Sequence, residues 1–189
     1  MKNRPALETE RLRLRLPTSE DVPAILQFFS ENRAYFRPTD PPRPEAFYTT
    51  GYWMKRVRSI ATDYVQDRGC NLFLFKKPGT IEAVGYVNLS NFVRGAFQAC
   101  YLGYGLAEES QGKGLMTEAL RAAIDHAWGP LKLHRIMANY LPQNERSARV
   151  LKGLGFVVEG YAKDYLYIDG RWQDHVLTAL TNARWAAPL

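Results

Sequence analysis

The chain has 189 residues, 46% of them hydrophobic and 13% aromatic, which suffices for one substantial core and is short for two. A single domain over residues 1–189, with its core at about 7–185, is therefore expected. The formal charge of +6 is dispersed without a run of five or more basic residues, a balance that suits an anionic cofactor as well as nucleic acid and gives no reason to expect specific DNA binding.

Cys70 and Cys100 are the two cysteines, and neither they nor His126, His134 and His175 show metal-ligand spacing, so no metal is expected. The opening residues lack the apolar core of a signal peptide. No apolar run approaches membrane-spanning length, so a cytoplasmic protein without membrane contact is expected.

Along the chain, Leu12, Leu14 and Leu16 alternate with Arg11, Arg13 and Arg15, the period of a strand with one wet face, and Pro17 ends it. Thr18 or Ser19 then caps a helix whose apolar positions are Val22, Ile25, Leu26 and Phe29. A proline-rich loop, Pro38 to Pro44, precedes a longer helical segment, and residues Tyr35 to Tyr52 read as a variable lid that would shape acceptor choice. Three strands follow at 71–77, 82–93 and 98–106, joined by turns at Pro78-Gly79 and Arg94-Gly95. Leu115, Met116, Ala119, Leu120, Ala123, Ile124 and Ala127 share one face of a helix that Gly129-Pro130 stops. A strand at 133–141 comes next, then a helix capped by Asn144 and ending near Leu154, then a hairpin turning at Asp169-Gly170. The central helix should cross over between two parallel neighbours, which makes the fold an α/β one of the α+β type with a mixed sheet.

Between the third meander strand and the central helix lies Gln111-Gly112-Lys113-Gly114. A strand-to-helix turn of this kind aims unpaired backbone N–H groups and the positive helix end at one point, and glycine lets an oxyanion reach them. Lys113 would add a positive charge. A P-loop is excluded because it needs a glycine at 107 and Ser or Thr after Gly-Lys, where Ala107 and Gly114 stand. A dinucleotide fingerprint fails at Thr117.

Gln111-x-x-Gly114 resembles the Q/R-x-x-G-x-G/A loop of the GNAT superfamily of N-acetyltransferases, with Met116 where that family usually has Gly or Ala. The stretches "SNFVRGAFQACYLGYGL", "HRIMANYLPQNERSARVLKGLGF" and "EGYAKDYLYIDGRWQDHVLTAL" extend the likeness over residues 7 to 185, toward the branch that acetylates the N-terminal alanine of a small-subunit ribosomal protein. The resemblance implies a central sheet splayed at the acetyl-CoA site, with helices flanking it. It implies that Tyr104, Gly105 and Leu106 meet the pantetheine arm, that Gln111, Gly112, Lys113, Gly114, Leu115, Met116 and Thr117 surround the pyrophosphate, and that Asn144 reaches the pantetheine. It further implies a ribosomal-protein N-terminus as substrate, and ribosome or pre-ribosome contact.

Direct transfer needs a donor for the developing oxyanion, a proton for the departing thiolate and a base for the amine. The family places the oxyanion donor at a backbone N–H near Leu106. Many members carry an acid tyrosine seven residues after the asparagine, but Leu151 stands there. Ser147 resembles the serine assigned that role in the ribosomal-protein branch and is taken as the acid. Related enzymes often place Glu or His at the strand position of Asn139, which cannot accept the proton, leaving Asp164, Glu159 and His134 as substitutes or surface residues. Without a strong base, an α-amine titrating near 7.7 to 8.0 is favoured over a lysine, whose deprotonation costs about 3 to 4 kcal/mol more at neutral pH. Cys100 reads as core packing rather than as a nucleophile. Competing expectations are acetylation of other protein N-termini or of a small amine, and a ribosome- or RNA-binding assembly factor that keeps the fold without the activity.

Overall fold

A computed structural model describes residues 4–79 and 81–186. Its element order is β1 (Ala6–Glu8), β2 (Leu12–Arg15), α1 (Val22–Glu31), α2 (Arg33–Phe36), α3 (Thr50–Val65), β3 (Gly69–Lys76), β4 (Ala83–Val93), β5 (Ala99–Leu106), α4 (Leu115–Trp128), β6 (Arg135–Tyr140), α5 (Glu145–Gly153), β7 (Val157–Ile168) and β8 (Arg171–Thr181), with short 3-10 turns between some of them. The expected order holds, with β1 as an added edge strand that pairs Leu7 with Leu14.

Eight strands form one sheet in the order β1-β2-β3-β4-β5-β6-β8-β7. Only the β5–β6 pair is parallel among the described strands, as expected of two strands joined through a helix. In β2, Leu12 and Leu14 are buried while Arg13 is exposed, so the alternation read from sequence is the real one. The middle of β3 is buried at four successive positions, Leu72 to Phe75, which is the signature of a strand covered on both faces.

Around β3 and β4 the core is strongly aromatic. Phe29 stacks on Trp53 with ring centroids 5.2 Å apart and meets Phe73 and Tyr86 edge-on or tilted, joining α1, α3, β3 and β4. The guanidinium of Arg43 lies over Phe29 and Phe47 at 4.5 and 4.7 Å, so the proline-rich loop is pinned to this cluster by cation–π contacts. Asp21 is buried and forms a two-armed bond with Arg15 while accepting from the N–H and hydroxyl of Thr18, which ties the start of α1 to β2.

The closing hairpin turns where predicted. Asp169 and Gly170 both have positive φ, 49° and 79°, the backbone that a tight two-residue hairpin turn requires.

Candidate active site

The parallel pairing of β5 with β6 is short. It joins Ala99, Cys100 and Tyr101 to Arg135, Ile136 and Met137 and then stops, although β5 remains paired to β4 as far as Leu106 and β6 to β8 as far as Tyr140. The two strands therefore splay, and a cavity of about 980 Å³ opens at the gap. On β5, the N–H of Ala107 donates to Val84 at 2.8 Å, so strand alternation turns the backbone groups of Leu106 and Tyr104 the other way, into the gap. A strand edge without its neighbour offers hydrogen bonds to an extended ligand.

At one end of the cavity lies the glycine turn. Gly112 and Gly114 have φ of +72° and +75°, and a Cβ on Gly112 would meet nothing within 4 Å, so these glycines are required by backbone conformation and leave open space in front of the amides. Gly114 is the N-cap of α4 and supplies no side-chain cap, which leaves the first-turn N–H groups at Leu115, Met116 and Thr117 available to a ligand. Met116, the departure from the family pattern, is buried in the core cluster. Gly112, Gly114, Leu115, Met116 and Thr117 all line the cavity.

Two residues at the turn behave differently from their neighbours. Lys113 is not a lining residue and its Nζ donates to the Glu109 carbonyl at 2.9 Å. Gln111 lines the cavity, but its amide donates to the Tyr35 hydroxyl and accepts from Arg146, so it braces α2, the turn and the first turn of α5 against one another. Arg11 straps the turn from outside. Its Nη1 donates to the Lys113 carbonyl at 2.8 Å while Nη2 pairs with Glu118 at 2.7 Å. Sequence reading gave Arg146 and Arg11 no part in the site and Tyr35 only a place in the lid, because contacts that span 35, 102 and 76 residues leave no local pattern.

The middle of the cavity holds the expected acid. The Asn144 side chain accepts from the Ser147 N–H at 3.1 Å, capping α5 as its position suggested. The Ser147 hydroxyl lies 2.6 Å from the Tyr104 hydroxyl. Burial pushes the Tyr104 phenol up to about 12, with the Ser147 hydrogen bond acting in the opposite direction, so it is protonated at neutral pH. Tyr104, Gly105, Leu106, Asn144 and Ser147 line the cavity together. Leu151, at the position of the more usual acid tyrosine, is buried in the core.

None of the three substitute bases lines this cavity. Glu159 pairs with Arg135, His134 packs edge-on against Trp185, and the Asp164 N–H donates to Asp174. Asn139 does line it and donates to the Tyr165 hydroxyl at 3.1 Å. Cys100 is fully buried and burial pushes its thiol up to about 12, so at neutral pH it is no nucleophile. Among the described residues no group of His, Cys, Asp and Glu could hold a metal ion, and no helix is long and apolar enough to cross a membrane.

A splayed parallel pair, a glycine turn and a hydroxyl pair share one cavity, and residues 11–157 match the acetyltransferase (GNAT) domain; the chain belongs to that family. It is 47% identical over 179 residues to the [ribosomal protein uS5]-alanine N-acetyltransferase of Escherichia coli K12, covering 95% of this chain and 92% of that protein. Among solved structures, the ribosomal-protein-S5-alanine acetyltransferase from Vibrio fischeri superposes with a TM-score of 0.93 at 39% identity, over 97% of this chain and 100% of the other. RimJ from Mycobacterium smegmatis, in complex with CoA-disulfide, gives a TM-score of 0.85 at 27% identity over 94% and 86% of the two chains.

Proposed function

We propose that this protein transfers the acetyl group of acetyl-CoA directly to the α-amine of an N-terminal alanine on a small-subunit ribosomal protein. The observation that carries the reading is the early end of the β5–β6 pairing, which opens one continuous cavity from Gly112–Thr117 to the Tyr104–Ser147 pair. The relatives named above supply the acceptor. In this reading the N–H groups of Gly112 to Thr117 and the positive end of α4 hold the pyrophosphate, and the exposed edge of β5 at Tyr104 to Leu106 holds the pantetheine, with Asn144 beside it.

The amine nitrogen attacks the thioester carbonyl carbon, and the N–H of Leu106, facing the gap, is the donor nearest to the role of stabilising the oxygen as it becomes negative. Collapse of the tetrahedral species breaks the C–S bond. Ser147 donates its proton to the leaving sulfur and is reprotonated by Tyr104, whose hydroxyl is already in contact with it, while the nitrogen loses its surplus proton to solvent as the amide forms and Tyr104 recovers one from solvent.

The test is mass spectrometry of two peptides incubated with enzyme and acetyl-CoA. One carries a free N-terminal alanine and an internal lysine, and the other has its N-terminus blocked. Acetyl should appear on the α-amine of the first, because about a tenth of an α-amine is neutral at pH 7 against less than about a thousandth of a lysine. Predominant lysine acetylation, or undiminished labelling of the blocked peptide, refutes the assignment.

A further inference from the structure

Acetyl transfer needs a proton acceptor on the amine's side of the thioester, and Asn139, which lines the cavity, carries an amide that cannot serve as one. Strand alternation separates the two sides of the site. Tyr104 points toward Ser147 on α5, so Gly105, next along β5, points to the opposite face. Gly105 is opposite Tyr86 on β4, and a Cβ at 105 would lie 2.6 Å from the Tyr86 ring and 3.1 Å from its hydroxyl, so that phenol occupies the space a side chain at 105 would fill. Its hydroxyl in turn lies 3.4 Å from Oδ2 of Asp40, in the proline-rich loop. Gly105, Tyr86 and Asp40 form a contiguous series leading from the splayed strand to the wall of the same cavity.

We propose that Asp40 is the base that removes the proton from the incoming amine, an assignment that rests on the acetyltransferase reading above. Two carboxylates line the cavity, Asp40 and Glu145. Glu145 has an 80% exposed side chain paired with Arg149 on the α5 side, whereas the Asp40 side chain is 17% exposed and lies across the sheet from the Ser147–Tyr104 pair. Asp40 is held firmly. Arg43 binds its Oδ2 and is itself clamped over Phe29, Phe36 and Phe47, and Oδ1 takes no part in the Arg43 or Tyr86 contact.

An α-amine arrives largely as its ammonium at neutral pH. Asp40 attracts that cation and accepts one N–H proton. The freed lone pair forms the N–C bond, the nitrogen gives up its second proton to solvent as the amide forms, the C–S bond breaks, the sulfur takes the proton of Ser147, which the Ser147–Tyr104 pair recovers from solvent, and Asp40 returns its proton to solvent through its exposed fraction. Burial raises the Asp40 carboxyl above the ordinary range against the lowering pull of Arg43 and of the Tyr86 hydrogen bond, which makes it a stronger proton acceptor than a surface aspartate. The charged and titratable groups bearing on it are Arg43 on its own loop and Tyr86 on β4. Farther around the cavity stand Glu145, Arg146 and Arg149 on α5 and His175 on β8.

The experiment compares wild type with Asp40→Asn on the alanine-initiated peptide from about pH 6 to about pH 9.5, with folding followed by circular dichroism and acetyl-CoA affinity measured separately. At pH 7 the variant should lose about 100-fold in kcat/KM with acetyl-CoA affinity unchanged, and the deficit should shrink steadily as the amine becomes neutral by itself. An equal deficit at every pH would make Asp40 a brace for the loop and overturn the proposal, as would wild-type activity. The same pH-dependent loss in His175→Gln in place of Asp40→Asn would move the base to β8 and also overturn it. If Asp40→Asn does not fold, Arg43→Met decides: removing the cation that opposes burial should shift the acid limb of kcat/KM to higher pH, and an unmoved limb refutes the assignment. A wild-type enzyme that labels only lysine would sink the N-terminal reading while leaving the Asp40 profile measurable on that amine.

Discussion

In the proposed mechanism the step at Ser147 depends on a neighbour. A serine hydroxyl is a weak acid, and the Tyr104 hydroxyl at 2.6 Å gives it a proton to draw on as its own departs. Ser147→Ala should therefore lower kcat about 100-fold while leaving acetyl-CoA affinity intact, and Tyr104→Phe should lower kcat by less, because Ser147 keeps its own proton. Stopped-flow measurement of thiol release under single-turnover conditions separates the chemical step from product release. Wild-type rates in Ser147→Ala would assign the proton to water or to Tyr104 acting alone. Ser147 is named from its resemblance to the family's serine and Tyr104 only as a residue of the strand meeting the pantetheine; that the two hydroxyls touch, across 43 residues, is not legible in the sequence.

Among the elements, the turn before α4 and the strand before it carry the binding in the proposed reading. Gly114 adopts φ of +75° and has no capping side chain, so any substituent costs backbone strain and fills the approach to the amides. Gly114→Ala should lose about 1 kcal/mol of stability in the free protein and bind acetyl-CoA more weakly, since a Cβ is strained at φ of +75° and would stand beside the amides that hold the anion. In a thermal-shift titration, wild type should be stabilised by about 2.7 kcal/mol at 100 times the acetyl-CoA Kd, while pantetheine, which lacks the pyrophosphate, should stabilise far less at the same concentration. Equal shifts from the two ligands would show that the turn does not hold the phosphate.

For the molecule as a whole, buried and half-buried carboxylates set how stability varies with pH, and three of them, two lowered and one raised, can be compared. Burial raises the Asp21 carboxyl, but Arg15 and the Thr18 N–H outweigh it and hold the group below the ordinary aspartate range; Glu118 is lowered in the same way, with burial opposed by Thr9 and Arg11. A carboxyl lowered on folding contributes stability that is present above its unfolded pKa and is lost as pH falls through the folded one, so both contributions should fade below about pH 4. Asp40, raised on folding, does the reverse: its contribution is present in acid and is lost as pH rises through its folded pKa. Asp21→Asn should cost about 2 kcal/mol at pH 7 and flatten the acid limb of a urea-denaturation series, whereas an unchanged slope would show that Arg15 finds another partner.

The chain by itself determined the elements and the glycine turn. Period-two leucines in β2, the apolar stripe of α4, the Asp169-Gly170 hairpin and Gln111-x-x-Gly114 are all local, because strand and helix periodicity and positive-φ turns are properties of neighbouring residues. Where β5 leaves β6, which carboxylate stands across the sheet from Ser147 and what holds Gln111 in place were decided only by tertiary structure. The splay is the absence of pairing between two strands whose residues are individually ordinary, and Asp40 lies in a loop that a linear reading sees as prolines and charges. Its burial, its cation and its place on the cavity wall come from Phe29, Phe36 and Phe47 holding Arg43, contacts that exist only once the chain has closed.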